Sequence, residues 1–374
     1  MTCITQKRGL ENKIVLVRTD FNVPLKAGKV VDDSRIREAL PTIKWLIKKK
    51  AKVILVSHLG RPDGQFVPGL CLEPVRKVLQ RRLRRKVLKL DTKNCKLNEI
   101  KKEELQSVIK NMKPGQVAMM ENIRFSPDEK KNTGTLAKDL ASLADLFVLD
   151  GFAVAHRPGA SVVGVAEYIP PYAGLLLQKE IKALEKTEHG KGPCVLVLGG
   201  IKIETKLPVI KHFLKKADTI LLGGGISNTY FKARGYGVGL SLVDTAFEEE
   251  ALKYGRKKHV LLPVDVVVGT KNGKSYRIVD VKKTSHTLCT KEEAIFDIGP
   301  KTIVLYQEYL KRAQTIVWNG AMGYFEQEPY HIGTFALAHM IAQFSKQGAY
   351  TVMGGGETTQ TVQIIGRVSD INHV

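Results

Sequence analysis

VMGGGETTQ, residues 352–360, sets three glycines between an apolar run and a polar segment able to begin a helix. Successive glycines are costly in ordered structure because glycine loses the most backbone freedom on folding, so such a run implies a need for bare backbone. ILLGGGISNTYF at 220–231 repeats the arrangement, and VLVLGGIKIETK at 195–206 is a two-glycine relative. Each reads as a buried strand, a glycine turn and a helix opening on Ser, Thr or Glu. That geometry presents unpaired N–H groups and a helix N-terminus to an anion. One such glycine pair alone reads as an ordinary strand-to-helix turn; three in one half of the chain point to a phosphate or nucleotide cradle.

Working outward, the same punctuation recurs in two series. The first runs through IVLVRTDF (14–21), KVILVSHL (52–59), QVAMMEN (116–122) and LFVLDGFA (146–153). The second begins at CVLVLGG and continues through TILLGGG, HVLLPVDVVV, TIVWNGAMG and YTVMGGG. Strands alternating with helical stretches such as SRIREALPTIKWLIKKK predict an α/β fold of two Rossmann-like domains with mostly parallel sheets. The segment YIPPYAGLLLQKEIKALEKTEHGKGP, with Pro170 and Pro171 ahead of a helix-like stretch, places the boundary near residue 172, giving domains 1–172 and 173–374 joined by a hinge helix. Parallel sheets bind ligands beyond the carboxyl ends of their strands. Asp20, His58, Arg124, Asp150, Gly200, Asn319 and Glu357 therefore become site candidates.

The 374 residues carry 59 Lys plus Arg against 37 Asp plus Glu, a formal charge of +22 that suits anionic substrates or nucleic acid. The densest basic run, VRKVLQRRLRRKVLKL at 75–90, reads as one amphipathic helix burying Val75, Val78, Leu79, Leu83 and Val87, and no aromatics interleave its cations as base stacking requires. No apolar run reaches membrane-spanning length and the start shows no signal-peptide pattern, so a cytoplasmic protein without membrane attachment is expected. Five scattered cysteines and nine histidines without metal-ligand spacing suggest neither a disulfide framework nor a zinc site.

In the first half the strand ends carry cations. RTDFNVPL supplies Asp20 and Asn22, DDSRIREAL supplies Arg35, SHLGRP supplies His58 and Arg61, ENIRF supplies Arg124, and AHRPG supplies His156 and Arg157. A single arginine of this kind is ordinarily a surface residue or an ion-pair partner. Several together describe a concave anion site, since the guanidinium fork meets phosphate or carboxylate oxygens two at a time.

RTDFNVPL, SRIREALPTI, VILVSHLGRP, ENIRF, AHR, LPVDVVV, DIGPKT, VWNGAMGYFE and GGGETT, in this order, resemble the phosphoglycerate kinase family over essentially the whole chain. The resemblance implies reversible phosphoryl transfer between 1,3-bisphosphoglycerate and ADP, giving 3-phosphoglycerate and ATP, with Mg²⁺ accompanying the nucleotide, in a monomer that closes at a hinge. It assigns Asp20, Phe21, Asn22, Arg35, His58, Leu59, Gly60, Arg61, Arg124 and Arg157 to the phosphoglycerate site, with His156 nearby. To the nucleotide it assigns Gly200, Lys202, Lys206, Gly223, Gly224, Asn319, Glu326, Gly354, Gly355, Gly356, Glu357 and Thr358. Arg35 and Lys202 become the catalytic cations and Glu357 the metal-facing carboxylate.

The chain departs from the family pattern at several points. Glu357 stands where Asp usually follows the glycines, Ala153 and Val154 replace Gly-Thr, Ala321 replaces a proline, and Pro208 follows Lys206. The usual Ser-Thr-Gly-Gly-Gly turn and final helix would lie beyond Val374. A second reading is a catalytically weakened relative that binds nucleotide or nucleic acid. ATP formation from 1,3-bisphosphoglycerate and ADP separates the two.

Overall fold

The computed structural model describes residues 1–374 apart from 91, 93–98, 189–191, 202–203 and 205. The chain divides into two compact units, Met1–Lys182 and Ala183–Val374. The division falls inside the helix Leu175–Glu188, later than the double proline suggests, because Pro171–Ala173 is itself a strand on the edge of the first unit's sheet.

That first sheet has six parallel strands in the spatial order Val87–Lys89, Val117–Met119, Lys52–Val56, Ile14–Arg18, Leu146–Leu149, Pro171–Ala173. Successive residues point to opposite faces of a strand, so Val15 and Val17 pack into one apolar cluster and Leu16 into the other. Sheet strands buried on both sides need no polar alternation, which is why the runs read as continuously apolar. The helix Ser34–Lys48 covers one face through Ile36, Ala39, Leu40, Ile43 and Leu46, which share one side of the helix.

The basic run at 75–90 is not a single helix. The helix Glu73–Leu83 stops at Arg84, which adopts a left-handed backbone (φ 52°), and Val87–Lys89 becomes an edge strand. Val75, Val78, Leu79 and Leu83 are buried from the helix, and Val87 from the strand. Arginine at a left-handed position carries no recognisable stop signal, unlike glycine.

The second unit has a five-stranded parallel sheet ordered Val260–Leu261, Thr219–Leu222, Cys194–Leu198, Thr315–Asn319, Tyr350–Gly354. HVLLPVDVVV, expected as one strand of this series, is two. Pro263 separates Val260–Leu261 from Asp265–Gly269, and the latter centres an antiparallel three-stranded sheet with Tyr276–Asp280 and Ala294–Ile298. Proline cannot donate to a ladder, so the chain leaves one sheet there and enters another. Pro208 causes no disruption, since it lies in the first turn of the helix Leu207–Phe213, where its missing N–H has no intrahelical partner to lose.

Candidate active site

The side chains of the first unit expected at an anion site gather at the carboxyl ends of its central strands. Arg18 ends the strand Ile14–Arg18 and is almost wholly buried, with Nε donating to Ser161 Oγ at 2.7 Å and Nη2 lying 3.8 Å from Glu129 Oε1. Its Nη2 also lies 3.4 Å from His58 Nδ1. Guanidinium groups only donate, so Nδ1 accepts and the His58 proton resides on Nε2. His58 stays neutral, because burial first and then Arg18, Arg124, Arg157 and Arg35 push its pKa down to about 2. Its 3.8 Å approach to Asp20 is therefore not an ion pair at neutral pH.

Asp20 accepts the Asn22 N–H at 3.0 Å through Oδ1 and pairs with Arg35 through Oδ2. Asn22 Oδ1 receives the Gly60 N–H at 2.8 Å, tying the turn after one strand to the turn after the next. Arg124 donates to the Gly60 carbonyl at 2.8 Å, and its pKa is lowered by burial and by Arg157 and Arg18. Arg35, Arg61, Arg157 and His156 are exposed. Phe21 and Leu59 bury their apolar side chains: Phe21 donates its N–H to Ser57 Oγ, and Leu59 exchanges hydrogen bonds with the Asn122 side chain.

Mutually repelling cations around a neutral imidazole form a site short of negative charge. Asp150, raised as a candidate by its position, serves another purpose. It is fully buried, Oδ1 accepts the Leu176 N–H at 3.0 Å, and burial pushes its carboxyl up to about 6. It secures the start of the helix Leu175–Glu188.

In the second unit four neighbouring parallel strands end in glycine. Leu198 leads to Gly199 and Gly200, Leu222 to Gly223–Gly225, Asn319 to Gly320, and the strand Tyr350–Gly354 to Gly355 and Gly356. The glycines fall into two groups. A Cβ on Gly199 would lie 2.0 Å from the Ala321 carbonyl, one on Gly320 2.3 Å from the Gly199 carbonyl, and one on Gly223 2.4 Å from Met322 Sδ. These three are required by the protein's own packing; Gly223, expected along the adenine, is backed by Met322, while Gly200 and Gly224 line the adjoining cavity.

Gly356 differs: its φ is ordinary and a Cβ would meet nothing within 4 Å. It opens the helix Gly356–Ile364, whose first-turn N–H groups and dipole favour an anion. Gly354 has only Asn319 nearby, and Gly355 holds φ 96°.

The cavity, about 490 Å³, lies between this glycine edge and the antiparallel sheet. Leu240, Leu242, Val266, Phe296, Met322 and Phe325 give it an apolar wall of a size suited to a nucleobase, and Glu326 and Glu357 reach its polar rim. Leu240 and Leu242 are 68% and 59% exposed, large apolar side chains left open beside the cavity.

Polar groups converge where the glycines end. Lys206, half-buried, donates to Asn319 Oδ1; burial lowers its pKa while Glu357 opposes that shift. Thr358 Oγ1 is fully buried and accepts the Gly320 N–H at 2.7 Å. Glu357 Oε2 accepts the Ala321 N–H at 3.3 Å, a donor that a proline at 321 would not have, so two departures from the family pattern meet in one contact. Of the remaining departures, Ala153 is exposed and Val154 packs in the core. A solvent-facing carboxylate in a helix's first turn, beside a lysine and bare backbone, fits a hard divalent cation brought in with phosphate oxygens. Among the described residues no group of three or more His, Cys, Asp or Glu is placed to hold a metal unaided. Lys202 lies outside the described residues.

Sequence reasoning missed Arg18, Glu129 and Ser161, and most of the apolar wall. Arg18 was signalled by a charge closing an otherwise apolar strand; the wall residues have no signature short of the fold.

Comparison with known proteins agrees with this geometry. A family model described as phosphoglycerate kinase matches residues 5–374. The phosphoglycerate kinase of Dictyoglomus turgidum is 45% identical over 373 residues, covering 98% of this chain and 90% of the relative. That of Moorella thermoacetica is 42% identical, covering 98% and 91%. The solved phosphoglycerate kinase of Coxiella burnetii superposes with a TM-score of 0.83 at 37% identity, covering all of this chain and 92% of the other. The chain belongs to the phosphoglycerate kinase family, kinases of reversible glycolytic phosphoryl transfer.

Proposed function

We propose that the arginine-lined edge of the first unit holds 3-phosphoglycerate or 1,3-bisphosphoglycerate, and that the glycine-lined edge and cavity of the second hold ADP or ATP. The observation that carries this division is the contrast between the two edges. One presents Arg18, Arg35, Arg124 and Arg157 around neutral His58; the other presents open backbone at Gly356 beside an apolar cavity. Arginine forks suit a small ligand with a carboxylate and a phosphate, whereas bare N–H groups and an apolar wall suit a nucleoside polyphosphate.

Phosphoryl transfer asks little covalent work of the protein; it needs in-line placement and neutralisation of the oxygens of the moving group. Arg35, with Asp20 orienting its guanidinium, supplies one cation, and Lys202 supplies the other when the units close at the hinge. Lys206 and the N–H groups at Gly355 and Gly356 hold the nucleotide phosphates, Glu326 takes the ribose hydroxyls, and Thr358 fixes the glycine turn through Gly320. Glu357 would hold Mg²⁺, which neutralises charge on the nucleotide oxygens. Closure also keeps water from the acyl phosphate.

We read the protein as a cytoplasmic monomer whose basic surface attracts small polyanions rather than a specific nucleic acid. Among the described residues no helix is long and apolar enough to cross a membrane.

Calorimetric titration tests the division. Arg124→Ala should lose roughly tenfold or more in 3-phosphoglycerate affinity through the lost charge-assisted bonds, and leave MgADP affinity unchanged. Leu242→Ala should do the reverse. Equal losses for both ligands in either variant would refute the assignment.

A further inference from the structure

Behind the arginine edge a buried chain of groups runs back from His58 through Arg18 and Ser161 to Glu129. Glu129 is 4% exposed, and its carboxylate accepts from Ser161 twice: from Oγ at 2.6 Å to Oε1 and from the backbone N–H at 2.9 Å to Oε2. Its backbone carbonyl accepts the Ala160 N–H at 2.9 Å. Glu129 thus pins the segment that follows Arg157 at three points. Ser161 Oγ passes its hydrogen to Glu129 and accepts the 2.7 Å bond from Arg18 Nε, so one hydroxyl is used as donor and acceptor in a fixed sense. Arg18 Nη2 in turn faces both Glu129 Oε1 and His58 Nδ1.

We propose that Glu129 is a positioning residue for the anion site, acting through Ser161 and Arg18 to hold His58 as the neutral Nε2–H tautomer. The argument is one of direction. A buried guanidinium needs a counter-charge, and Glu129 is the carboxylate closest to it here. Held by Glu129 and Ser161, Arg18 can only donate toward Nδ1, and this leaves Nε2 as the nitrogen that bears hydrogen. An imidazole in that form offers an N–H to an anionic oxygen without adding a further positive charge to a crowded cluster of arginines. The opposite tautomer would set an N–H against the Arg18 N–H and present a lone pair in place of a donor. The role assigned to the donor rests on reading this edge as the phosphoglycerate site; the tautomer itself does not.

Nitrogen-15 NMR of histidine-labelled protein reads the His58 tautomer directly in the ligand-free chain. The expected spectrum shows Nε2 protonated and Nδ1 unprotonated, unchanged from pH 7 to pH 5. A protonated Nδ1, or titration within that range, overturns the proposal without any substitution. In Glu129→Gln, which keeps the shape but removes the counter-charge, the His58 signals should move toward a tautomer mixture. KM for 3-phosphoglycerate should rise roughly tenfold, the scale of one charge-assisted bond, while KM for ATP stays within twofold. Ser161→Ala, a smaller change that keeps the fold accessible if Glu129→Gln does not, should shift the same signals and raise the same KM by about threefold. Unaltered His58 signals in both variants overturn the relay, even if stability falls. If the signals shift but 3-phosphoglycerate neither perturbs Nε2 of the wild type nor shows a changed KM, the relay stands as a tautomer lock and the placement of the ligand at this edge is what fails.

Discussion

Replacing Gly356 with alanine should stabilise the protein and weaken its grip on nucleotide at the same time. The backbone at 356 is compatible with any residue and an added Cβ meets nothing within 4 Å. Gly→Ala at a compatible site contributes about 0.4–1 kcal/mol, chiefly by reducing the freedom of the unfolded chain. For a domain of this size that is a rise of roughly 1–3 °C in melting temperature. The same Cβ, however, stands at the opening of the helix Gly356–Ile364, where the first-turn N–H groups are to meet phosphate. Losing one charge-assisted bond costs about 1.5–3 kcal/mol, so MgADP affinity should fall roughly ten- to hundredfold. Gly355→Ala supplies the contrast, because φ 96° penalises any side chain and that variant should be destabilised by about 1–2 kcal/mol. Scanning calorimetry of the free proteins and titration calorimetry with MgADP read the two effects separately. A Gly356→Ala protein that binds MgADP as tightly as the wild type would refute the reasoning, since nothing else explains a glycine there.

Arg35→Ala should lower turnover by about 10³-fold with little change in ATP affinity, as expected of a cation that meets the moving phosphoryl group from the other unit; steady-state kinetics beside ATP titration checks this. Glu357→Gln should raise the Mg²⁺ concentration giving half-maximal rate, whereas Glu357→Asp should retain activity, and an unchanged Mg²⁺ dependence in the glutamine variant would reduce Glu357 to a helix-opening residue. Asp150→Asn carries a pH signature. The folded carboxyl sits at about 6, above the roughly 3.9 of an unfolded aspartate, so the folded state keeps a proton that the unfolded state releases. Stability from this group is greatest below about pH 4 and is lost as pH rises through 6. Urea denaturation should therefore find the asparagine variant gaining on the wild type by about 2 kcal/mol between pH 4 and pH 7, and a pH-independent difference would contradict the burial argument.

How far the sequence carried depended on whether a residue announces its own geometry. Apolar runs closed by glycine or a charge were legible as parallel strands, and the glycine clusters fall at the carboxyl edge of the second sheet, beside the cavity. Pro263 changed sheets within what reads as one strand, and Arg84 ended a helix from a left-handed position that glycine would have advertised. The cavity wall was illegible because Leu242, Phe296 and Phe325 are ordinary apolar residues until the antiparallel sheet brings them beside Gly200 and Gly224. The glycine clusters read together as a ligand cradle, yet Gly199, Gly223 and Gly320 yield to neighbouring protein atoms, and of the glycines along this edge only Gly356 has both an ordinary φ and nothing in its way. Arg18 went unnoticed because its meaning resides in Glu129 and Ser161, more than a hundred residues away in sequence.

ATP formation from 1,3-bisphosphoglycerate and MgADP, followed continuously by a coupled assay on this chain, tests the central claim most directly. The account predicts saturable turnover in both substrates at a rate on the order of 1–100 s⁻¹. Tight binding of both ligands with no ATP formed above the uncatalysed rate would contradict it.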